Sequence, residues 1–200
     1  YARDVAGNDR STAITLHLVD RIPETSIMTT ATVLDGVHFF GVNDTINTTC
    51  DIDPCTRYHR FIISAENVSW SETLGPLSPP LDAVRFEAYS IGPGEIPSFV
   101  ESIALKVDLI APSSEIILPV PGGDPVPYNW PVRLRSEDPD PSGCPILEFT
   151  YIVKRPDGSM IGPFTSIEEI AILLDRGGIW EWTVDVTDCV GNAAETEITL

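Results

Sequence analysis

The stretch that decides the fold is WEWTVDVTDCVGNAAETEITL, residues 180–200. Its first half alternates strictly: Trp180, Trp182, Val184 and Val186 point to one face, and Glu181, Thr183 and Asp185 to the other. A period of two belongs to a half-buried antiparallel strand, with one face on a core and one in water. Its second half alternates again through Ala194, Thr196, Ile198 and Leu200. Between them lies DCVGN, 188–192. A tight turn needs residues that tolerate positive φ, and Gly and Asn tolerate it best. Asp188 can cap such a turn by accepting from nearby backbone amides. Turn chemistry is the first reading of this motif, and a part in a ligand or metal site is the alternative.

Outward from that hairpin the chain repeats itself. DVAGN at 4–8 matches DCVGN, and IGPGE at 91–95 is a weaker copy. Alternating runs follow the first and the weak copy: Ile14, Leu16, Leu18, and then Phe99, Ile103, Leu105, Val107. Both runs end in Val-Asp (Val19-Asp20, Val107-Asp108) and pass into a proline junction at Pro23 or Pro112, 89 residues apart. GPLS at Gly75 and GPFT at Gly162 stand 87 apart. Landmarks agreeing on a period near 90 parse the chain into 1–20, the last two strands of a preceding module, and full modules at 21–108 and 109–200. Further strands are expected at 26–33, 37–42, 58–64, 68–73, 83–90, 116–120, 131–135 and 146–154. The stretch 166–175 allows a short helix or a strand, and leans to a strand. Many short strands divided by Gly/Pro turns read as β-sandwiches, so the fold class is all-β, with modules in an elongated array.

Composition narrows the function. Thirty Asp and Glu against 12 Lys and Arg give a net charge of −18, which excludes the basic surface that nucleic acid or anionic lipid requires. No apolar run reaches the ~20 residues that cross a bilayer, so no membrane insertion is expected of this segment. Eighteen Pro and 14 Gly suit strands and turns rather than helices. The chain opens at Tyr1 without a Met, which reads as a piece of something longer. Four cysteines, with no C-x-x-C and no His beside any of them, read as two disulfides, Cys50–Cys55 and Cys144–Cys189. Such bonds persist in oxidising surroundings. Three N-x-[ST] triplets, at Asn43, Asn47 and Asn67, read either as glycosylation acceptors or as a Thr-rich strand-and-loop region. Both features agree with an extracellular address at the cell surface.

Candidate chemistry is sparse. No G-x-S-x-G, H-E-x-x-H, Walker-type or G-x-G-x-x-G stretch occurs, and His17, His38 and His59 read as plain strand residues. No enzyme activity is expected. The best site candidate is a calcium loop in EDPDPSG, where Asp138, Asp140 and Ser142 alternate and Glu137 adds a carboxylate. The plainer reading, which the sequence favours, is a solvated acidic turn stiffened by Pro139 and Pro141. A second candidate is the junctions, where Asp20 and Asp108 precede the linker prolines and could hold Ca²⁺ between stacked modules. Asp51 and Asp53 of CDIDPC form a third oxygen-rich spot. Trp180 and Trp182 belong to a core face, while Trp70 and Trp130 are the aromatics expected at the surface, where sugars could stack.

ARDVAGN…LHLVD, YSIGPGE…ALKVDLIAP and DVTDCVGN resemble the tandem immunoglobulin-like and fibronectin type III-like repeats of secreted and surface-anchored bacterial and archaeal proteins. SEDPDPSG, YIVKRPDGS and GGIWEWTVDVTD are similar to polycystic-kidney-disease-type domains. The second module departs from the pattern: Ile91 stands where Asp is expected, and an insertion at 43–56 carries Cys50, Cys55 and two sequons. The resemblance implies Ig-like sandwiches in a non-catalytic spacer region of a stalk, surface-layer or filament protein. Its expected partners are neighbouring modules of the same parent chain and other copies. The alternative is an adhesin, or carbohydrate-binding accessory modules of a secreted hydrolase, with glycans as partners. The incomplete module at 1–20 either completes an upstream module or pairs with another chain as donated strands. Closing a loop of 45 residues stabilises a module by about 4 kcal/mol. Mild reduction is therefore expected to lower the stability of residues 109–200 by a few kcal/mol, measured by denaturant unfolding with and without reductant.

Overall fold

The computed structural model describes residues 2–3, 9–10, 21–63, 68–118, 129–140, 143–167 and 169–200. Every regular element among them is a β-strand. β1 (Ala2–Arg3) and β2 (Asp9–Arg10) pair antiparallel. The DVAGN turn between them, and His17 and Asp20, lie outside the described residues, as do Asn67 and Ser142.

The central sandwich contains β3 (Thr25–Thr29), β4 (Thr32–Leu34), β5 (Val37–Phe40), β6 (Ile46–Cys50), β7 (Thr56–Ile63), β8 (Ser71–Glu72), β9 (Ala83–Ile91) and β10 (Glu101–Val107). β3 and β6 form one sheet, and the other runs β4-β5-β10-β9-β7-β8. Phe40, Ile46, Ala83, Phe86, Ala88 and Leu105 are buried as its core. Two expectations are corrected here. The single strand expected at 26–33 is two strands, because the chain leaves β6 at Thr30 and β4 joins the opposite sheet beside β5. Asp35 and Gly36, with φ of 50° and 79°, supply the turn that lets β4 fold back on β5. Much of the stretch taken as an insertion is β6, a strand of the sandwich, with Ile46 and Thr48 both 0% exposed. In the IGPGE turn Gly94 and Glu95 take positive φ, so the turn closes without the missing Asp.

The C-terminal sandwich contains β11 (Ser113–Leu118), β12 (Pro131–Glu137), β13 (Ile146–Lys154), β14 (Met160–Ser166), β15 (Ile170–Leu173), β16 (Glu181–Asp188) and β17 (Ala193–Thr199). A sheet ordered β11-β12-β15 covers one ordered β14-β13-β16-β17. The alternation read from residues 180–186 is seen in burial: Trp180, Trp182, Val184 and Val186 are 0–1% exposed and pack with Val132, Leu134, Phe149 and Val153. The two indole rings stack with centroids 6.1 Å apart. Rings of this size dominate core energetics, and truncating either costs about 3–5 kcal/mol. The ambiguous stretch 166–175 holds β15, a strand. The GPLS and GPFT landmarks part company, since Gly162 lies within β14 while Leu77 makes only an isolated bridge to Ile46.

His38 and His59 are half-buried strand residues, bonded to the hydroxyls of Thr29 (3.1 Å) and Thr73 (2.9 Å). Burial lowers both side-chain pKa values below the ordinary 6.5. A lowered folded pKa means the unfolded chain takes the proton first, so the stability is complete above pH 6.5 and lost as pH falls through the folded value. His59→Gln is expected to flatten the fall in stability below pH 6.5, measured as the difference between wild-type and variant urea melts.

Candidate metal centre where the sandwiches meet

Among the described residues no strand ladder joins the two sandwiches, so side chains and single backbone groups make the joint. The Asp108 amide donates to the Phe40 carbonyl (2.9 Å), keeping the chain on the central sandwich to that point. The Asp108 side chain then faces the C-terminal sandwich. Its Oδ2 accepts from the Cys144 amide at 2.6 Å and its Oδ1 from the Ile110 amide at 3.1 Å. Asn192 Nδ2 donates to the Asp108 carbonyl (3.1 Å) and to Asp188 Oδ2 (2.8 Å). Asp188 Oδ1 caps the DCVGN turn, accepting from the amides of Val190 and Asn192 at 2.9 Å each. Asp138 Oδ1 accepts from the Asp140 amide at 2.8 Å.

These bonds gather Asp108, Asp138 and Asp188 so that one carboxylate oxygen of each lies within 4.8 Å of the others. Asp108 is 1% exposed and Asp188 3%. Asp138 Oδ2 is buried and takes no N–H or hydroxyl donor, its hydrogen-bonding neighbour being the Asp108 carboxyl. No Lys or Arg among the described residues makes an ion pair with any of the three. Burial, followed by the charges of Asp108 and Asp188, pushes the Asp138 carboxyl above its ordinary range against the opposing pull of the Asp140 amide. Three hard oxygen donors without sulfur or imidazole suit Ca²⁺ or Mg²⁺ and not a soft transition metal. Gly143 permits this crowding: a Cβ there would lie 2.6 Å from Asp138 Oδ2 and 2.9 Å from Asp108 Oδ2.

An apolar contact lies beside the acids. Phe39, Leu34 and Val37 of the central sandwich pack on Cys144, Cys189 and Val190 of the other. Cys144 and Cys189 are disulfide-bonded, with Cα atoms 5.5 Å apart. Thr32 Oγ1 donates to the Cys189 carbonyl at 2.8 Å. Gly41 lets the turn come close, since a Cβ there would stand 3.0 Å from the Val190 carbonyl oxygen.

The residues singled out in the sequence are distributed as follows. Of the described carboxylates in the EDPDPSG loop, Glu137, Asp138 and Asp140, Asp138 alone joins the three-acid group. Glu137 ends β12 on its outward face and pairs with Arg135 at 3.3 Å, because strand alternation turns it away from Asp138. The Asp140 backbone closes the loop, its carbonyl accepting from the Gly143 amide at 2.8 Å. Asp108 comes from the junction candidate, and Asp188 from the turn motif. Asp51 is exposed, ion-paired with Arg21 and bonded to the Glu24 amide, so CDIDPC is not part of the cluster. Cys50 and Cys55 are free thiols, against the expected bond. They are close enough to hydrogen-bond, but the Cys50 thiol also donates into its own turn, to the Ile52 carbonyl at 3.4 Å. Burial, first, and Cys50 then push the Cys55 thiol up to about 11. Asn43 is exposed in a turn, whereas Asn47 is half-buried in β6 and accepts from the Thr48 amide at 3.0 Å. Trp130 is 43% exposed. Trp70 is half-buried, with Tyr89 against it edge-on and Arg60 over its ring at 4.4 Å. The meeting of Asp108 with Asp188 was the part that sequence reading missed, although both are the Asp of a repeated motif.

No family model and no curated protein matches the chain. The solved structures to which it is similar include two of modular proteins. One is the fibronectin(III)-like modules of Clostridium thermocellum CbhA, at 17% identity, covering 87% of this chain and 92% of that one, with a TM-score of 0.38. The other is the three N-terminal domains of the bacteriophage RB49 Highly Immunogenic Outer Capsid protein, at 14% identity, covering 88% and 58%, with a TM-score of 0.34. The chain is all-β among the described residues, its strands laid in facing sheets.

Gly143→Ala forces the acids apart or the loop outward. It is expected to destabilise the C-terminal sandwich by about 1–3 kcal/mol, as overpacking does, read as a lowered thermal midpoint.

Proposed function

We propose that this chain is a non-catalytic spacer region of a larger secreted or surface protein, with the joint between its sandwiches held by a calcium ion. The observation that carries the reading is the joint itself. Asp108 of one sandwich, Asp138 and Asp188 of the other, and a buried oxygen on Asp138 that meets the Asp108 carboxyl in place of an N–H or hydroxyl donor sit where the two bodies meet. Buried like charges without a cation destabilise the packed state, and one hard cation turns that cost into an attraction across the joint. Asp108, Asp138 and Asp188 would hold it, and its chemistry would be structural, neutralising charge and bridging the sandwiches. A joint made from several directional bonds suits a part that works by spacing and stiffness. The Cys144–Cys189 bond and the exposed Asn43 sequon support an extracellular address. The net charge of −18 keeps neighbouring copies apart and draws divalent cations to the surface. The carbohydrate-binding alternative has less support, since Trp70 is covered and Trp130 belongs to the other sandwich.

The test is thermal unfolding with calcium and with chelator. Calcium held about 100-fold above its dissociation constant stabilises by about 2.7 kcal/mol, or about 5–10 °C for a chain of this size at about 2–4 °C per kcal/mol. Asp138→Asn is expected to raise the midpoint in chelator by a few degrees and to abolish the calcium response. A midpoint indifferent to calcium would remove the metal from the proposal. Solution scattering showing freely tumbling sandwiches would remove the spacer.

A further inference from the structure

The Cys144–Cys189 bond lies at the joint, inside the contact between the sandwiches. Cys144 is 0% exposed and Cys189 7%. Phe39 of the central sandwich, itself 7% exposed, forms one buried cluster with the two cysteines, and the half-buried Leu34 and Val37 pack against that cluster. Both cysteines are also bonded through their backbones to the central sandwich. The Cys144 amide donates to Asp108 Oδ2 at 2.6 Å, and the Cys189 carbonyl accepts from Thr32 Oγ1 at 2.8 Å. The disulfide therefore fixes, at a Cα separation of 5.5 Å, the two backbone groups by which the C-terminal sandwich grips its neighbour. The contrast within the chain is Cys50 and Cys55, half-buried free thiols away from this contact.

We infer that Cys144–Cys189 is a redox lock on the joint, shielded from solution thiols while the sandwiches are docked and loosening the joint when it is reduced. It deepens the spacer reading by naming what could switch stiffness off. The reductant is a small dithiol. Its thiolate attacks Sγ of Cys189, the less buried of the two residues, the S–S bond breaks, and Cys144 leaves as a thiolate that takes up a proton. The second thiol of the reagent then resolves the mixed disulfide, leaving two cysteine thiols and the cyclic oxidised reagent. Attack needs an open line to the sulfur, and here the central sandwich stands against it. The rate of reduction is then the rate or extent of undocking. The coupling is reciprocal: whatever favours docking protects the bond, and the intact bond favours docking.

The experiment measures reduction by dithiothreitol under native conditions, after Cys50 and Cys55 have been blocked with one alkylating reagent. Newly released thiols are trapped with an isotopically distinct one and counted by mass. Phe39→Ala removes the apolar cover, and Thr32→Val removes one hydrogen bond with little change of shape. Each is expected to speed reduction at least tenfold over wild type. Phe61→Ala, in the central core and outside the joint cluster, controls for general loss of stability and is expected to change the rate less than threefold. In the same samples, reduction is expected to shift the methyl resonances of Leu34 and Val37, on the opposite sandwich, and to leave those of Ile27 and Leu77 in place. Rates within twofold of wild type for both joint variants would overturn the shielding. Methyl shifts confined to residues 113–200 would overturn the lock and make the bond a staple of one sandwich. Either result leaves the spacer reading to its own scattering and calcium tests.

Discussion

The joint depends on one buried carboxylate. The Asp108 amide is bonded to the central sandwich through the Phe40 carbonyl, and its side chain enters the C-terminal sandwich at 1% exposure. A buried carboxylate is tolerated only where its oxygens are satisfied, and those of Asp108 take amides from Ile110 and Cys144. Meeting that requirement fixes where the linker leaves one body and where the other begins. The oxygens of Asp188 and Asp138 then lie within 4.8 Å, so three carboxylates crowd together with no Lys or Arg partner among the described residues. That crowding is the physical basis for the proposed cation.

Around this polar centre the apolar surfaces are small. Phe39, Leu34 and Val37 cover Cys144, Cys189 and Val190, and Gly41 and Gly143 let backbone and carboxylates approach where a side chain would hold them apart. Each sandwich has its own core, with Trp180 and Trp182 in one and Phe40, Phe86 and Leu105 in the other. The joint does not have to supply folding energy. Its bonds are directional, so they fix orientation more than they add stability.

Much of this was legible beforehand in particular residues. Strict alternation through residues 180–186 located the tryptophan core, and the Asp of DCVGN was read as a turn cap, which Asp188 is. The long-range pairing of Cys144 with Cys189 was also legible. The reading failed where neighbouring chemistry hid the period. β6 was masked by Thr and Asn, whose polarity looks like loop although Ile46 and Thr48 alternate with them on the buried face. The short pair Cys50 and Cys55 is unbonded, with the Cys50 thiol donating to the Ile52 carbonyl. Trp70 looked exposed between two serines, yet Tyr89 and Arg60 from neighbouring strands cover it.

Sequence alone determined that the regular elements are strands, that the DCVGN motif closes a turn, and which face of the strand at 180–186 goes inward. Those properties follow from local backbone sterics and from a period of two, and neither needs a distant partner. Only the tertiary structure decided that Asp108, Asp138 and Asp188 share one site and that a disulfide lies beneath the neighbouring sandwich. Those are contacts between residues tens of positions apart, set by how two finished bodies dock, and no periodicity along a chain encodes a docking geometry.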